Sequence, residues 1–175
     1  MGVLPEDPRI TAAACGFLQV IDPVGEGLIQ SPERSGTRFA GVALTVRPQR
    51  QLSALLDVAP EAKRVGVVYN PKDAVSLRLI EQAREDAARV GVVLHEATAE
   101  QAAQIGDALK SLEGKVDALW LIPDPVCAAP EPSQRVLEFA EKHRLPVLAF
   151  AGAFVQRGAL VATGVDMAEQ GALAA

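Results

Sequence analysis

The sequence predicts a doubly wound α/β layer structure with a parallel sheet between Arg64 and Ala151. Short β-branched runs alternate here with longer patterns of helical periodicity, which is typical of βαβ units with right-handed crossovers. The run Val116–Ile122 is almost continuously apolar, as expected of a strand covered on both faces. Glycines follow the helical patterns where a C′ residue would end them.

The first βα unit has the clearest pattern. A helix from about Gln49 to Val58 leads into a strand at Val65–Tyr69. The breaker pair Asn70-Pro71 then gives a turn. In the helix predicted from about Asp73 to Val90, apolar residues recur at helical spacing with charges on the other side, and Gly91 is its C′ stop.

The remaining units repeat this pattern. The predicted strands are Val92–His95, Val116–Ile122 and Val147–Phe150, and the predicted helices are Ala102–Leu112 and Pro132–His143. Gly114 stops the first of these helices, and Ser133 is the expected N-cap of the second. Trp120, in mid-strand, is expected in the core.

Charge and cysteine content exclude several classes of protein. The net charge is −5, with no run of Lys or Arg, which argues against binding a nucleic-acid backbone. Cys15 and Cys127 lie far apart without a CxxC or a neighbouring His pair, so we expect buried free thiols and no zinc site or disulfide framework. His95 and His143 are expected to be exposed or structural.

Enzyme motifs give no support for catalysis. The sequence has no GxGxxG after a strand, no GxxxxGK[ST] and no GxSxG. A phosphorylation site of the receiver type would need acidic residues where Tyr69 and Asn70 stand. We therefore predict a binding protein without cofactor or metal.

The first residues superficially resemble the end of a lipoprotein signal with Cys15 as the acylated residue. Only five residues, 10–14, separate Arg9 from Cys15. A signal needs about 7 to 15 apolar residues there. As written, the chain has neither an export signal nor a stretch long enough to span a membrane, and would be cytoplasmic.

Ligands of doubly wound proteins bind beyond the carboxyl ends of the strands. The polar and aromatic residues expected at this edge are Tyr69, Asn70, Ser76, Glu96, Asp124 and Phe154. Each has a structural alternative. Asn70 forms a turn with Pro71, Ser76 can bond within the first helical turn, and Asp124 can shape a loop.

Five sequence blocks in order carry a family resemblance. They are DPVGEGL (22–28), GV (41–42), QLSALLDVAPEAKRVGVVYNP (51–71), VDALWLIPDP (116–125) and GALVATGVDMAEQGALAA (158–175). Together they resemble the ABC transporter substrate-binding protein family, typified by the tryptophan-binding, TrpX-like proteins. The resemblance covers roughly residues 15–175.

The resemblance implies a fold like that of type I periplasmic binding proteins, in which two α/β lobes close on a small molecule. Residues 51–156 would form one complete lobe. Residues 1–50 and 157–175 would form a partial first lobe with the hinge crossings. Family members are longer and begin with an export signal, so the chain corresponds to an N-terminally truncated member, and we expect a homodimer or a partner chain to complete the first lobe.

The family's functional residues are carried over by motif. The turn with Tyr69, Asn70 and Ser76 would face the ligand and could hold a carboxylate, and Asp124 would suit an ammonium group. Asp166 would contribute from the hinge side. Phe154 is expected to stack on the ligand because it lies beyond a strand end. The predicted ligand-binding residues are therefore Tyr69, Asn70, Ser76, Asp124, Phe154, Asp166 and Asp22.

The function so implied is non-catalytic binding of an amino acid or similar zwitterion for an ABC uptake system, with an ABC permease as a possible partner. A periplasmic or extracytoplasmic location is typical of the family. Two alternatives remain: a cytoplasmic sensor or structural module derived from such a protein, and an enzyme of an unrecognised doubly wound type.

Overall fold

The sheet has five parallel strands, and the computed structural model describes residues 46–164. The strand order is β2-β1-β3-β4-β5. The strands are β1 (Arg64–Tyr69), β2 (Val93–Thr98), β3 (Ala118–Leu121), β4 (Val147–Ala149) and β5 (Val161–Ala162). Val65 of β1 pairs with Leu94 on one side and Ala118 on the other. The strand order therefore reverses between β1 and β3, where doubly wound folds bind ligands.

Helices cover both faces of this sheet. They are α1 (Pro48–Val58), α2 (Ala74–Arg89), α3 (Ile105–Leu112) and α4 (Pro130–His143). A short 3₁₀ helix at Ala102–Gln104 precedes α3, and another at Gly152–Arg157 follows β4. The apolar sides of α1 and α2 pack on one face of the sheet, and those of α3 and α4 pack on the other. The predicted doubly wound α/β architecture is confirmed.

Side-chain alternation along β1 supplies both layers of the core. Val65, Val67 and Tyr69 are buried on the face covered by α1 and α2, whereas Val68 is buried on the opposite face. Gly66 shares the face of Val68, and a Cβ atom there would lie 3.0 Å from a methyl group of Leu119. The absence of a side chain at position 66 therefore lets the layers approach closely.

Trp120 lies in the core, as predicted, and is 2% exposed. Its indole N–H donates to Oε1 of Gln51, a buried residue of α1, over 3.0 Å. The amide of Gln51 also donates to the carbonyl of Val46 over 2.7 Å. Since a buried indole N–H needs an acceptor, Gln51 allows Trp120 to be fully enclosed.

The predicted helix ends are mostly confirmed. Gly91 and Gly114 have φ angles of +74° and +70°, the left-handed conformation of a C′ residue. The prediction of Ser133 as an N-cap is wrong, because α4 begins at Pro130 and its N-cap is Ala129. Proline favours the first helical position, where its missing N–H costs nothing. Ser133 lies in the first turn and donates to the carbonyl of Pro130 over 3.1 Å.

The ordered layers extend beyond the predicted lobe bounds of 51–156 at both ends. Pro48 is buried at the start of α1, and Val161 of β5 pairs with Leu148 of β4. A strand of two residues is too short to give a periodic sequence pattern, which is why β5 was not predicted. The assignment of residues 1–50 and 157–175 to a partial first lobe falls mostly outside the described residues and stays a prediction.

Candidate functional site

The loops after β1 and β3 meet at the carboxyl edge of the sheet, on either side of the strand-order reversal. The backbone N–H of Asn70, directly after β1, donates to Oδ2 of Asp124 over 2.8 Å. Ser76, in the first turn of α2, donates its hydroxyl to the same oxygen over 2.7 Å. One carboxylate thus joins the β1–α2 turn to the loop that follows β3.

Asp124 is fully buried, and both of its carboxylate oxygens are engaged. The second oxygen, Oδ1, accepts from the backbone N–H groups of Val126 and Cys127, each over 2.9 Å. A carboxylate has about four lone-pair positions for hydrogen bonds, and here four donors use them. Asp124 therefore holds two loops in a fixed relative position.

The β1–α2 turn contains a carboxylate, that of Asp73, at the N-terminus of α2. Asp73 is the N-cap of α2, and its side chain accepts from the backbone N–H of Ser76 over 2.7 Å. Oδ1 of Asn70 accepts from the backbone N–H of Lys72 over 2.9 Å. Because Asp73 already occupies the positive end of the helix, that helix end is less suited to a ligand carboxylate than expected. The amide of Asn70 also has two N–H donors that its contact with Lys72 does not use.

Tyr69 points into the core beneath α2 and is 5% exposed. Its hydroxyl donates to Oε2 of Glu96 over 3.0 Å. Arg84 donates to both oxygens of the same carboxylate, over 2.7 and 2.8 Å. Burial and the Glu96 carboxylate raise the pKa of Tyr69, whereas the hydrogen bonds from Arg84 lower the pKa of Glu96. These three side chains bind one another within the lobe.

Phe154 lies in the 3₁₀ helix after β4 and is buried in the core beneath α3 and α4. Its ring centroid lies 5.0 Å from that of Phe150, and the guanidinium of Arg157 lies 5.2 Å from it. Arg157 also donates to Oε1 of Gln134 over 3.1 Å. The ring thus packs at a tilt against Phe150 within the lobe, on the face opposite to Tyr69.

Of the predicted ligand-binding residues, the structure brings Asn70, Ser76 and Asp124 together through hydrogen bonds. Tyr69 and Phe154 lie in different core layers. Asp22 and Asp166 lie outside the described residues. Ligand binding by any of these seven residues stays a prediction. The sequence left open whether Asp124 shapes a loop. Its four hydrogen bonds show that it does, whether or not it also contacts a ligand.

Sequence reasoning missed Thr163, which follows β5 at the same edge of the sheet. The rule that identified Asn70 and Asp124, a polar residue directly after a parallel strand, also applies to Thr163. That rule could not be used because β5 was not recognised as a strand.

Other reactive side chains of the described residues are enclosed or dispersed. Cys127 is a buried free thiol, as expected, and its pKa is raised by burial and by the neighbouring Asp124. Within residues 46–164, no three His, Cys, Asp or Glu side chains form a group that could hold a metal ion. No helix in this part of the chain is long and apolar enough to cross a membrane.

The parallel sheet, its two helical layers and the paired loops at the switch point define a lobe of the periplasmic-binding-protein type. Residues 15–175 match the family model described as ABC transporter substrate binding protein. The chain belongs to this family, as its sequence blocks predicted.

Individual relatives agree with this assignment. The chain is 27% identical over 152 residues to a tyrosine-binding protein of Clostridioides difficile (strain R20291), covering 87% of this chain and 44% of that protein. A crystal structure of a conserved domain protein from Vibrio cholerae O1 biovar El Tor superposes with a TM-score of 0.76 and 27% identity, covering 94% of this chain and 57% of that one.

Two further solved structures have the same fold. The ligand-free, open structure of a substrate-binding protein with adhesive properties from Clostridium difficile gives a TM-score of 0.75 at 29% identity, covering 86% of this chain and 50% of that one. The ABC domain in complex with L-Trp from Streptococcus pneumoniae gives 0.74 at 23% identity, covering 93% and 56%. The chain thus spans about half the length of these relatives.

Proposed function

We propose that this chain binds an amino acid or a similar small zwitterion as the substrate-binding component of an ABC uptake system, and that it does so without catalysing a reaction. Membership of the substrate-binding family supports this proposal. The 27% identical relative named for tyrosine binding supports an amino acid as the ligand class.

The observation that carries the proposal is the pairing of two loops through Asp124 at the strand-order reversal. Because the hydrogen bonds form within the lobe, the loops are ordered before a ligand arrives, which lowers the entropic cost of binding. We assign Asn70 to the ligand and Asp124 and Ser76 to the positioning of Asn70. A direct contact between Asp124 and a ligand ammonium group would require one of its four donors to move away.

Charge at this edge suits the head group of an amino acid. Asp124 accepts from the Asn70 N–H and Asp73 accepts from the Ser76 N–H, so both carboxylates contact the β1–α2 segment, and together they attract an ammonium group. The side-chain N–H groups of Asn70 can donate to the ligand carboxylate. Asp22 and Asp166, which lie outside the described residues, remain proposed ligand contacts. Tyr69 and Phe154 are buried in the core, and each would have to leave its core layer to contact a ligand.

The test is a thermal-shift and calorimetric screen of the purified protein against the twenty amino acids, tyramine and related small acids. A ligand at 100 times its Kd adds about 2.7 kcal/mol of stability. For a chain of this size, that raises Tm by roughly 5 to 10 °C. A shift confined to amino acids supports the proposal. No shift with any compound contradicts an amino-acid ligand and favours the alternative of a sensor or structural module.

Asn70→Asp provides the matched variant. The substitution keeps the oxygen that accepts from Lys72 but replaces the two side-chain N–H donors by a second carboxylate oxygen. We expect about tenfold or greater loss of affinity for the amino acid, because two carboxylates would face each other. Binding of tyramine, which lacks the carboxylate, should be retained or strengthened. Unchanged affinity for the amino acid would remove Asn70 from the ligand site.

The wider assembly is part of the proposal. An ABC permease is the expected partner of a substrate-binding protein of this family. The homodimer, or partner chain, predicted from the sequence remains a prediction that the mass of the protein in solution tests. Light scattering at micromolar concentration would give twice the chain mass for a homodimer, and the single-chain mass would argue against it.

A further inference from the structure

Two buried polar side chains, those of Gln51 and Asp86, bind the backbone at the start of α1. Gln51 is 6% exposed and Asp86 is 4% exposed. Burying a polar side chain is costly unless it is hydrogen-bonded, so its partners indicate what it does. The candidate functional site uses neither residue.

Asp86 caps α1 from the neighbouring helix. The N-cap residue of α1 is Arg47, whose side chain makes no capping hydrogen bond. Oδ2 of Asp86, in α2, accepts instead from the backbone N–H of Gln49 over 3.3 Å, and Oδ1 accepts from Arg89 over 3.1 Å. Because the N–H groups of a first helical turn lack partners within the helix, the Asp86 carboxylate takes the place of a cap.

Gln51 joins the residue that precedes this helix to the centre of the sheet. Its side-chain N–H donates to the carbonyl of Val46 over 2.7 Å, and its Oε1 accepts from the indole N–H of Trp120 over 3.0 Å. Trp120 belongs to β3, the strand that leads to the loop of Asp124. Val46 is thus connected to a central strand through one side chain.

Val46 has a particular place in the chain. The chain divides into two compact units, and Val46 is the first residue of the unit that contains the sheet. We propose that Gln51 is a positioning residue that, with Asp86, fixes the point at which the chain enters this lobe. An apolar side chain of similar length could fill the space, but it could not both donate to a carbonyl and accept from an indole. The inference concerns the lobe alone and does not depend on the ligand of the proposed function.

Gln51→Met tests this role, since it removes both hydrogen bonds and keeps a side chain of similar length. Amide hydrogen exchange, measured residue by residue by NMR, compares the two ends of α1 in the variant and the wild type. We expect exchange of the Gln49 and Arg50 N–H groups to accelerate about tenfold, and that of the Ala59 N–H at the other end to change less. A general loss of stability would accelerate both ends alike, so the difference reports the fixed entry point.

Gln51→Glu separates the two hydrogen bonds. The substitution keeps the acceptor for Trp120 but, once ionised, offers no donor to the carbonyl of Val46. The chain has a single tryptophan, so one indole N–H signal reports the bond to Trp120. We expect this signal to stay downfield in Gln51→Glu and to move upfield in Gln51→Met. First-turn exchange in Gln51→Glu, relative to the wild type at the same pH, should rise as the pH increases and the carboxyl group ionises.

Asp86→Ala is the second variant and leaves the Gln51 contacts in place. It should accelerate exchange of the Gln49 N–H without moving the indole signal. Unchanged exchange of Gln49 in this variant would overturn the role of Asp86. Unchanged first-turn exchange in Gln51→Met would overturn the role of Gln51, as would equal acceleration at both ends of α1, because Gln51 would then be a general core residue.

Discussion

Asp124 is the residue whose replacement should most disturb the edge of the sheet. Asp124→Ala removes the acceptor of three backbone N–H groups and of the Ser76 hydroxyl. These donors are left in an enclosed site, since Asp124 is 0% exposed. Each unpaired buried donor costs about 1 to 3 kcal/mol before relaxation, and water entering the space of the lost carboxyl group recovers part of this. We expect a net loss of about 3 to 5 kcal/mol.

Asp124→Asn is the shape-preserving comparison. The amide oxygen can still accept from Val126 and Cys127, while the new NH₂ group faces the Asn70 N–H and the Ser76 hydroxyl. The hydroxyl can rotate and accept, but the backbone N–H cannot, so one donor–donor conflict remains. The expected loss is about 1.5 to 3 kcal/mol, smaller than for alanine.

Urea unfolding followed by far-UV circular dichroism measures both losses. The wild type, the asparagine variant and the alanine variant should have successively lower midpoints at similar m-values. Asp107→Asn, an exposed position of α3, provides a surface control that should change stability by less than about 0.5 kcal/mol. If Asp124→Ala were as stable as the wild type, the four hydrogen bonds would not be holding the loops, and the argument for an ordered site would fail.

Two further predictions concern packing and pH. Gly66→Ala should destabilise the protein by about 1 to 3 kcal/mol, because the new methyl group would lie 3.0 Å from a methyl group of Leu119. The control is Gly106→Ala in α3, which has no neighbouring atom within 4 Å and should leave stability unchanged or raise it. Equal effects of the two variants in urea unfolding would refute the packing argument. Arg84 lowers the pKa of Glu96 in the folded protein below its value in the unfolded chain, which is about 4.3. The ion pair therefore stabilises the fold above that pH, and this stabilisation is lost as the pH falls through the pKa of Glu96 in the folded protein. Glu96→Gln should flatten the fall in Tm over that range, and an unchanged slope would contradict the assignment.

Most of the fold could be predicted because each major element carries its own local signal. The strand and helix of the first unit lie within one or two residues of their predicted bounds, and both C′ glycines have positive φ. The start of α4 was misplaced because two prolines and a serine offer competing N-terminal signals, and Pro130 prevails over Ser133. β5 gave no signal, since its two residues are ordered by pairing with β4 rather than by their own pattern.

The site was less predictable, because the direction of a polar side chain depends on contacts distant in sequence. Asn70 and Asp124 were correctly placed at the carboxyl edge, since that follows from strand order alone. The burial of Asp124 depends on donors that include Ser76, 48 residues away along the chain. Likewise, the Tyr69 hydroxyl turns towards Glu96 on the neighbouring strand. A single sequence identifies which residues reach the edge but not which of them bind one another there.

The hydrogen bonds of Asp124 explain how this edge can be ordered before a ligand binds. Asp124 satisfies its donors within the lobe, so its contribution is present whether or not a ligand is bound. The side-chain N–H groups of Asn70 are not used by its contact with Lys72, and the proposed function assigns them to the ligand. Because Asp124 positions Asn70, Asp124→Asn should lower both the stability of the lobe and its affinity for the proposed ligand.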